Sequence, residues 1–502
     1  MSLVKLSLIF LTAHVAVALL FVFDRAPGTA AALVGFPLDD AWIHMVYARS
    51  LAGLHGFAYN TAELETGSTS PLWAVLLVPA SWTARLFGIS VVLPAKVTGL
   101  AAALGTSLAA ARLASRVGFS LAVELAAGLA CAIDPALAFA SLSGMEVLLA
   151  GALALWALSE LAGERYRLAA LAAGLAPLAR PELAPLTLTV LTVAQWRLHQ
   201  QHASAGRRTI ILLPTFLFVG GWLLFCLRVS GYPLPNTFYA KFASHHEFFT
   251  HNLTLIFAQV IPSFPWFARG TGFALWALGA VLLFRRGLVA ALTAAFPMCY
   301  LLVVAASQLI KEPSPFYWQR YLLPAQPFIL LAVAVGAIHA ATWAWRRRRQ
   351  AWAPGYAVLA AILILGTLTS LPAALRGRAD LFAWNCQNIE ELNVAMGKWL
   401  RDNTAPDETI AVTDAGAARY FGDRRILDVL GLNNHRFLHG DREQATELSR
   451  IRTVAGFPLM IPFIRDNPMW RAVHRTATEH LTICDCNQSE IVAYQRAEPS
   501  SR

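Results

Sequence analysis

Two adjacent carboxylates, Asp39 and Asp40, follow the first long apolar run of the chain. A charged pair at the mouth of an apolar bundle is costly unless it is solvated, paired or used. A carboxylate next to a hydroxyl can take its proton, which is general-base chemistry. Neighbouring carboxylates also repel, so their titrations couple and one of them is raised. That suits a base that must be reprotonated in each turnover. His44, Tyr239, Lys241, Arg320 and Tyr321 supply the opposite chemistry: cations and hydroxyls able to hold a leaving phosphate. Glu146, Arg180, Glu182, Asn236 and Asp414 are candidates to meet the hydroxyls of an acceptor.

Each candidate also has a plainer reading. Asp39 can N-cap a helix that starts at Ala41, with Asp40 favoured by the helix dipole. His44 lies one helical turn after Asp40 and either faces it or simply packs. Trp42 and Trp73 read as membrane-interface anchors. Glu146 can cap the helix it opens, and Asn236 after Pro235 can form a turn. Asp414 and Asp428 each end an expected strand, where a solvated carboxylate is ordinary. Cys484-Asp485-Cys486 lacks zinc-site spacing. The Asp39-Asp40 pair could hold a divalent cation, but basic ligands around a monophosphate make no metal obligatory.

The elements that must position these residues are mostly apolar. The 502 residues are 57% hydrophobic and only 14% charged, where soluble chains run near a quarter charged. Such a length accommodates roughly 10–12 membrane spans and one modest polar domain. The net charge of +10 is concentrated at Arg207-Arg208, Arg285-Arg286 and Arg346 to Arg349, beside apolar segments. That pattern marks cytoplasmic loops and argues against nucleic acid as a partner. Of six cysteines, Cys131, Cys226 and Cys299 lie in apolar runs. Cys386, Cys484 and Cys486 lie in the polar tail, where one disulfide with one thiol left over is the expectation if the tail is extracytoplasmic. The first apolar run, 6–23, is longer than a usual signal core and reads as an uncleaved span.

In order, spans are expected at 3–23, with Pro71 to Gly88 returning and 91–113 crossing again. Residues 119–141 break at Asp134-Pro135 into two short pieces. Residues 147–161 lead to a cytoplasmic end at Arg165 and Arg167. Residues 168–196 form either two half-helices meeting at Arg180-Pro181-Glu182 or one kinked span in which Arg180 and Glu182 pair. Further crossings fall at 209–229, 272–284, 288–310, 322–345 and 354–372. With the basic runs held inside, the loop 24–71, Pro235–Lys241, Tyr317–Tyr321 and the tail share one face. Arg112 and Arg116 then fall on that face too, and Glu146 reaches it only if 119–141 is re-entrant. The expected domains are therefore 1–375, within the membrane, and 376–502, a small α/β domain. In the latter Ile389–Trp399 is helical. Thr409–Thr413 and Arg425–Val429 are strands, and Leu481–Cys484 with Ile491–Tyr494 form a hairpin.

Several blocks resemble bacterial polyprenyl-phosphate-dependent glycosyltransferases of the GT-C superfamily. They are Asp39-Asp40-Ala41-Trp42-Ile43, Tyr47-Ala48-Arg49, His55-Gly56-Phe57, Thr69-Ser70-Pro71-Leu72-Trp73 and Ser143-Gly144-Met145-Glu146. Arg180-Pro181-Glu182, Pro235–Lys241, Arg320–Pro324, Asp414-Ala415-Gly416 and Asp428–Leu432 complete the set. Among that superfamily the chain looks most like mycobacterial terminal β-(1→2)-arabinofuranosyltransferases and pilin arabinosyltransferases. Leu64-Glu65-Thr66-Gly67 departs from the Val-Glu-Gly type run expected there, and the tail after about 435 resembles no relative.

The resemblance implies a GT-C fold in a bacterial inner membrane with a periplasmic catalytic loop. It also implies an acidic base matching Asp39 or Asp40, and a polyprenyl-phosphate arabinofuranose donor. The acceptor would be an envelope glycan, glycolipid or glycoprotein. Transfer of mannose or another hexose, including to protein, is the alternative within the class. A lipid-linked sugar flippase is the alternative outside it. A transporter favours charges at mid-membrane and repeated halves, whereas these acidic residues sit at span ends and no halves repeat.

Overall fold

The computed structural model describes residues 2–23, 26, 28–242, 249–263, 271–307, 317, 319–346, 365, 369–440, 449–483 and 488–497. Cys484, Cys486, Arg347 to Arg349 and most of the span expected at 354–372 lie outside these residues. Among the described residues, five helices are long and apolar enough to cross a membrane: Leu3–Phe23, Val92–Arg116, Ala205–Ser230, Leu288–Ser307 and Gln319–Arg346. A sixth span is a bent pair, Leu121–Ile133 and Pro135–Leu142, meeting at 58°. Asp134 makes the bend. Its carboxylate accepts from the backbone N–H of Ala136 and Leu137, and Pro135 opens the second piece. Gln326 donates to the same carboxylate at 2.7 Å and ties the bend to a later helix. Shorter apolar helices, Val147–Ala162, Tyr166–Ala179 and Gly272–Phe284, pack among the long ones. At Gly279 and Gly336 the backbones of two helices come so close that an added Cβ would strike Ala332 O or Leu275 O. Membrane helices associate by such small-residue contacts.

Side-chain contacts fix which helix ends share a face. Arg112 pairs with Glu160 at 2.8 Å, Arg165 approaches the same carboxylate at 3.7 Å, and Arg286 donates to Gly118 O. Arg112 and Arg116 therefore lie with the other basic ends, opposite the Asp39 loop. This corrects the expected side for both. The error lies at Pro71–Phe87, which does not return across the bundle. Its helices stay beside the one that follows Asp39: Trp82 donates to Ala52 O and Arg85 to Arg49 O. One crossing fewer lets Glu146 reach the Asp39 face directly, with no re-entrant segment. Helices Tyr166–Ala179 and Ala184–Gln200 form a hairpin, closed by bonds from Thr187 to Ala173 O and from Gln201 to Tyr166. Its polar tip is Arg180-Pro181-Glu182, so the half-helix alternative is the one observed.

The tail begins on helix Leu371–Ile389, which passes through a π-helical turn, Glu390–Val394, into Ala395–Asn403. Numbering strands along the chain, β1 (Ala58–Asn60) and β2 (Glu63–Leu64) are a small ribbon in the first loop. The tail carries β3 (Thr409–Val412), β4 (Arg425–Asp428), β5 (Thr453–Gly456), β6 (Trp470–Ala477) and β7 (Glu490–Arg496). Their order is β4-β3-β5-β7-β6, with β3 parallel to both neighbours and β7 antiparallel to both of its own. The expected partner of Ile491–Tyr494, Leu481–Cys484, is corrected: β6 pairs with β7 instead. Strand β6 is mostly exposed and carries Arg471, His474 and Arg475, so hydrophobic patterning passes it over. One hydrophobic core joins Val46, Tyr47 and Tyr59 of the first loop, and Ala74 just after it, to Leu392, Met396, Val412 and Ala493 of the tail. Cys386 is a free thiol buried against Gly35 O, not one half of a disulfide. Trp42 and Trp73 are buried core residues rather than interface anchors, and Trp73 donates to Gly144 O at 2.8 Å.

Candidate active site

The first loop is bolted to the tail by bonds that span most of the sequence. Asp39 stands before helix Asp40–Ala52 but makes no capping bond to it. Its two carboxylate oxygens accept from the backbone N–H of Gly416 at 2.7 Å and Ala417 at 2.8 Å. The capping expectation is corrected: Asp39 makes no cap on its own helix and instead receives the N–H groups that open Ala417–Gly422, in the tail. Asn60 exchanges two bonds with the backbone of Ile426, at 3.0 and 2.9 Å. Tyr59 donates to Ala415 O at 2.5 Å, and Tyr47 to Asn433 Oδ1 at 3.0 Å. Glu65 and His435 meet at 2.8 Å.

Asp40, one residue on, is turned the other way. It is bound by Arg320 at 2.5 Å, with the carboxylate one-third exposed and the guanidinium 3% exposed. Arg320 lies over the Tyr317 ring, 4.4 Å from its centre. Arg180 pairs with Glu146 at 2.8 Å, and the other oxygen of Glu146 meets His44 Nε2 at 3.2 Å. His44 therefore faces Glu146 rather than Asp40. Arg180 also covers the Tyr321 ring at 4.9 Å. Asp40, His44, Glu146, Arg180, Glu182, Arg320 and Tyr321 line a cavity of ≈ 290 Å³. Among the described residues, Arg320 Nε and Nη1, Arg180 Nε, His44 Nδ1, Ser68 Oγ and Thr237 Oγ1 have no hydrogen-bond partner. Buried polar groups are nearly always satisfied, and these unmet guanidinium and hydroxyl donors have the chemistry to meet an anion.

A second cavity of ≈ 390 Å³ opens on the far side of Asp40, Ile43 and Leu432, which line both. Its polar wall is Asp39, Asn393, Thr413, Asp414 and Asp428. Burial and the neighbouring Asp414 push Asp39 up to about 8, against the pull of its two backbone N–H bonds. Burial likewise pushes Asp414 up to about 6, against a bond from Thr413. It takes Asp428 to about 6, against bonds from Asn433 and Leu430. Among the described residues no three His, Cys, Asp or Glu side chains converge as metal ligands.

The structure thus gathers Asp40, His44, Glu146, Arg180, Glu182, Arg320 and Tyr321 in one chamber, and Asp39 and Asp414 around the other. Tyr239 is not in either wall; it packs on the rings of Tyr232 and His439. Asn236 is buried and donates to Glu65 at 3.1 Å, holding its loop to the first one. The side chain of Lys241 lies outside the described part of the chain. Ser68, Thr237, Tyr317 and Asn393 complete the walls, and sequence reasoning passes over all four. Ser68 and Thr237 sit inside or beside recognised blocks, whereas nothing in the sequence around Asn393 marks it.

The fold is that of the GT-C membrane glycosyltransferases. The crystal structure of ArnT from Cupriavidus metallidurans bound to undecaprenyl phosphate aligns with a TM-score of 0.58 at 14% identity, over 98% of each chain. The archaeal oligosaccharyltransferase AglB from Archaeoglobus fulgidus, in complex with an inhibitory peptide and a dolichol-phosphate, aligns at 0.55 and 10% identity. That match covers 90% of this chain and 69% of the other. At such identities the likeness is one of fold. Residues 385–493 match a family model described as a domain of unknown function (DUF8728). No curated protein sequence matches the chain.

Proposed function

We propose that the protein is an integral-membrane, inverting glycosyltransferase that moves a sugar from a polyprenyl-phosphate donor to a hydroxyl of an envelope glycan, glycolipid or glycoprotein. One observation carries the reading: Asp40 stands in the common wall of two cavities, one bearing cationic donors and the other carboxylates. The undecaprenyl phosphate bound to ArnT, a protein of the same fold, supports the donor class. The cytoplasmic bias of basic loops supports a periplasmic site, since the chamber lies opposite the arginine-rich helix ends.

In this mechanism Arg180, Arg320 and His44 hold the donor phosphate, with Lys241 a further ligand from the Pro235–Lys241 block. Asp40 takes the proton of the acceptor hydroxyl. The hydroxyl oxygen bonds to the anomeric carbon as the bond from that carbon to the phosphate oxygen breaks. The electron pair leaves with the phosphate, which gains one negative charge. Protonation neutralises Asp40 at the same moment, so the Arg320 guanidinium is released from its pair and faces that new charge. Charge balance is kept without a divalent cation. Attack from the second cavity on a donor held in the first inverts the anomeric centre. Arg180, Glu146 and Glu182 thereby join the donor side, and Asp414 stays with the acceptor.

The sugar we propose is arabinofuranose, on the motif resemblance. The test supplies membranes containing the protein with radiolabelled polyprenyl-phosphate arabinose and, separately, polyprenyl-phosphate mannose. Transfer of the arabinose label to an envelope acceptor is expected. Transfer of mannose alone would reassign the sugar, and movement of intact donor across the bilayer without transfer would make the protein a flippase.

A further inference from the structure

The second cavity has a chemistry of its own. Asn393 is 3% exposed, and its amide oxygen has no partner among the described residues. The π-helical turn Glu390–Val394 places it in the cavity wall beside Thr413 and Asp414. A buried carbonyl oxygen left unmet is unfavourable unless a ligand supplies the donor. The carboxylates around it, Asp40, Asp414 and Asp428, are acceptors when ionised. No lysine, arginine or histidine lines this cavity among the described residues. Beside the hydroxyls of Tyr317 and Thr413, the rest of the wall is largely apolar, with Leu38, Ile389, Phe457 and Met460.

We infer that this cavity is the acceptor subsite and that it takes a glycan end free of phosphate, sulfate and carboxylate. Asn393 is the residue that reads its hydroxyls. A sugar ring offers several O–H donors on its edges and a C–H face for the apolar wall, which is the complement of this lining. An anionic ring would bring like charge against a set of carboxylates, and such juxtaposition rejects a wrong partner. The volume lies within the range of small-molecule sites. The inference rests on the transferase reading for its name as an acceptor site, but its chemistry is independent of the donor chamber.

The test uses the full chain purified in detergent. Saturation-transfer NMR and calorimetry measure binding of neutral arabinotriose and mannotriose, and of each trisaccharide carrying a terminal phosphate monoester. Undecaprenyl phosphate binding is measured in parallel. At least one neutral trisaccharide is expected to bind, and its phosphorylated form about tenfold more weakly or worse. Asn393→Ala should weaken neutral binding about tenfold, the size of one lost hydrogen bond, and leave undecaprenyl phosphate binding unchanged. Asn393→Asp, which keeps an acceptor oxygen at the same place, should hold the neutral trisaccharide more tightly than Asn393→Ala. Equal binding of neutral and phosphorylated forms by the wild type overturns the inference without any variant. So does unchanged binding in Asn393→Ala, or no trisaccharide binding at all. Trisaccharide binding with no undecaprenyl phosphate binding would instead refute the donor reading and leave the cavity's chemistry standing.

Discussion

Replacing Asp40 by asparagine separates the base from its neighbours most cleanly. The amide keeps the shape of the side chain and can still accept one bond from Arg320, but it cannot take a proton. General-base catalysis contributes about 10²–10⁴-fold, so the barrier should rise by ~3–5 kcal/mol. The fold should suffer much less. Arg320 is buried and loses a charged partner, yet Asp40 is one-third exposed. The pair lies between exposed pairs, at ~0–1 kcal/mol, and buried ones, where removing one partner costs ~3–5. A stability loss of about 1–2 kcal/mol follows, too small to unfold a bundle this size. The assay is single-turnover transfer of labelled sugar from a synthetic polyprenyl-phosphate arabinose, with thermal unfolding in detergent beside it. The expected result is a kcat lowered by two or more decades with a nearly unchanged melting curve. Wild-type kcat in Asp40→Asn, with loss of transfer in Asp39→Asn, would hand the proton to Asp39 and refute the assignment.

Asp39→Asn should act as a loosened anchor: one amide face cannot accept from both Gly416 and Ala417, and a weakened cap costs about 1 kcal/mol, read as a lower melting temperature with partial activity. Gly416→Ala should do the same from the other side, because an added Cβ would strike Asp39 O; overpacking of this kind costs ~1–3 kcal/mol, and an unchanged melting curve would show that the contact carries no load. Arg320→Ala should raise the apparent Kd for undecaprenyl phosphate more than the KM for acceptor, and equal effects on both would make Arg320 scaffold. Asp39, Asp414 and Asp428 have folded pKa values raised to about 8, 6 and 6, above those of the unfolded chain. Their contribution is therefore full below about pH 4 and is lost as pH rises through 6 and then 8. Thermal unfolding against pH should show stability falling across that window, and Asp428→Asn should flatten its lower half.

Much of this was legible in the residues because the relevant physics is local. The Asp134-Pro135 break, the Arg180-Pro181-Glu182 tip and strands β3 and β4 each follow from proline chemistry, charge in an apolar run or a short apolar stretch between turns. The shared face of Asp39, Pro235, Arg320 and the tail followed from basic clusters alone. The side assigned to Arg112 failed because hydropathy cannot tell a short surface-bound helix pair such as Pro71–Phe87 from a crossing. The roles within the Asp39-Asp40 pair were not legible at all. They are set by which carboxylate meets the N–H groups of Gly416 and Ala417, and that depends on tertiary packing. Asn393 was equally hidden, since its exposure to the cavity comes from a π-helical turn that leaves no compositional trace. His44 was drawn toward Asp40 by helical spacing, but Glu146 on another helix outcompetes that neighbour.

The anchor of Asp39 lies 377 and 378 positions further along the chain. A ribosome delivers Asp39 and Asp40 early and the seat of Asp39 last. Until the stretch around Ala417 has emerged and folded, the loop bearing Asp40 lacks the bonds that Asp39 makes to it, however complete the helices behind it. Truncated or stalled products thus leave that carboxylate without its two N–H partners. A swap of tails between homologues would have to carry residues 36–73 along with the new tail to keep these bonds.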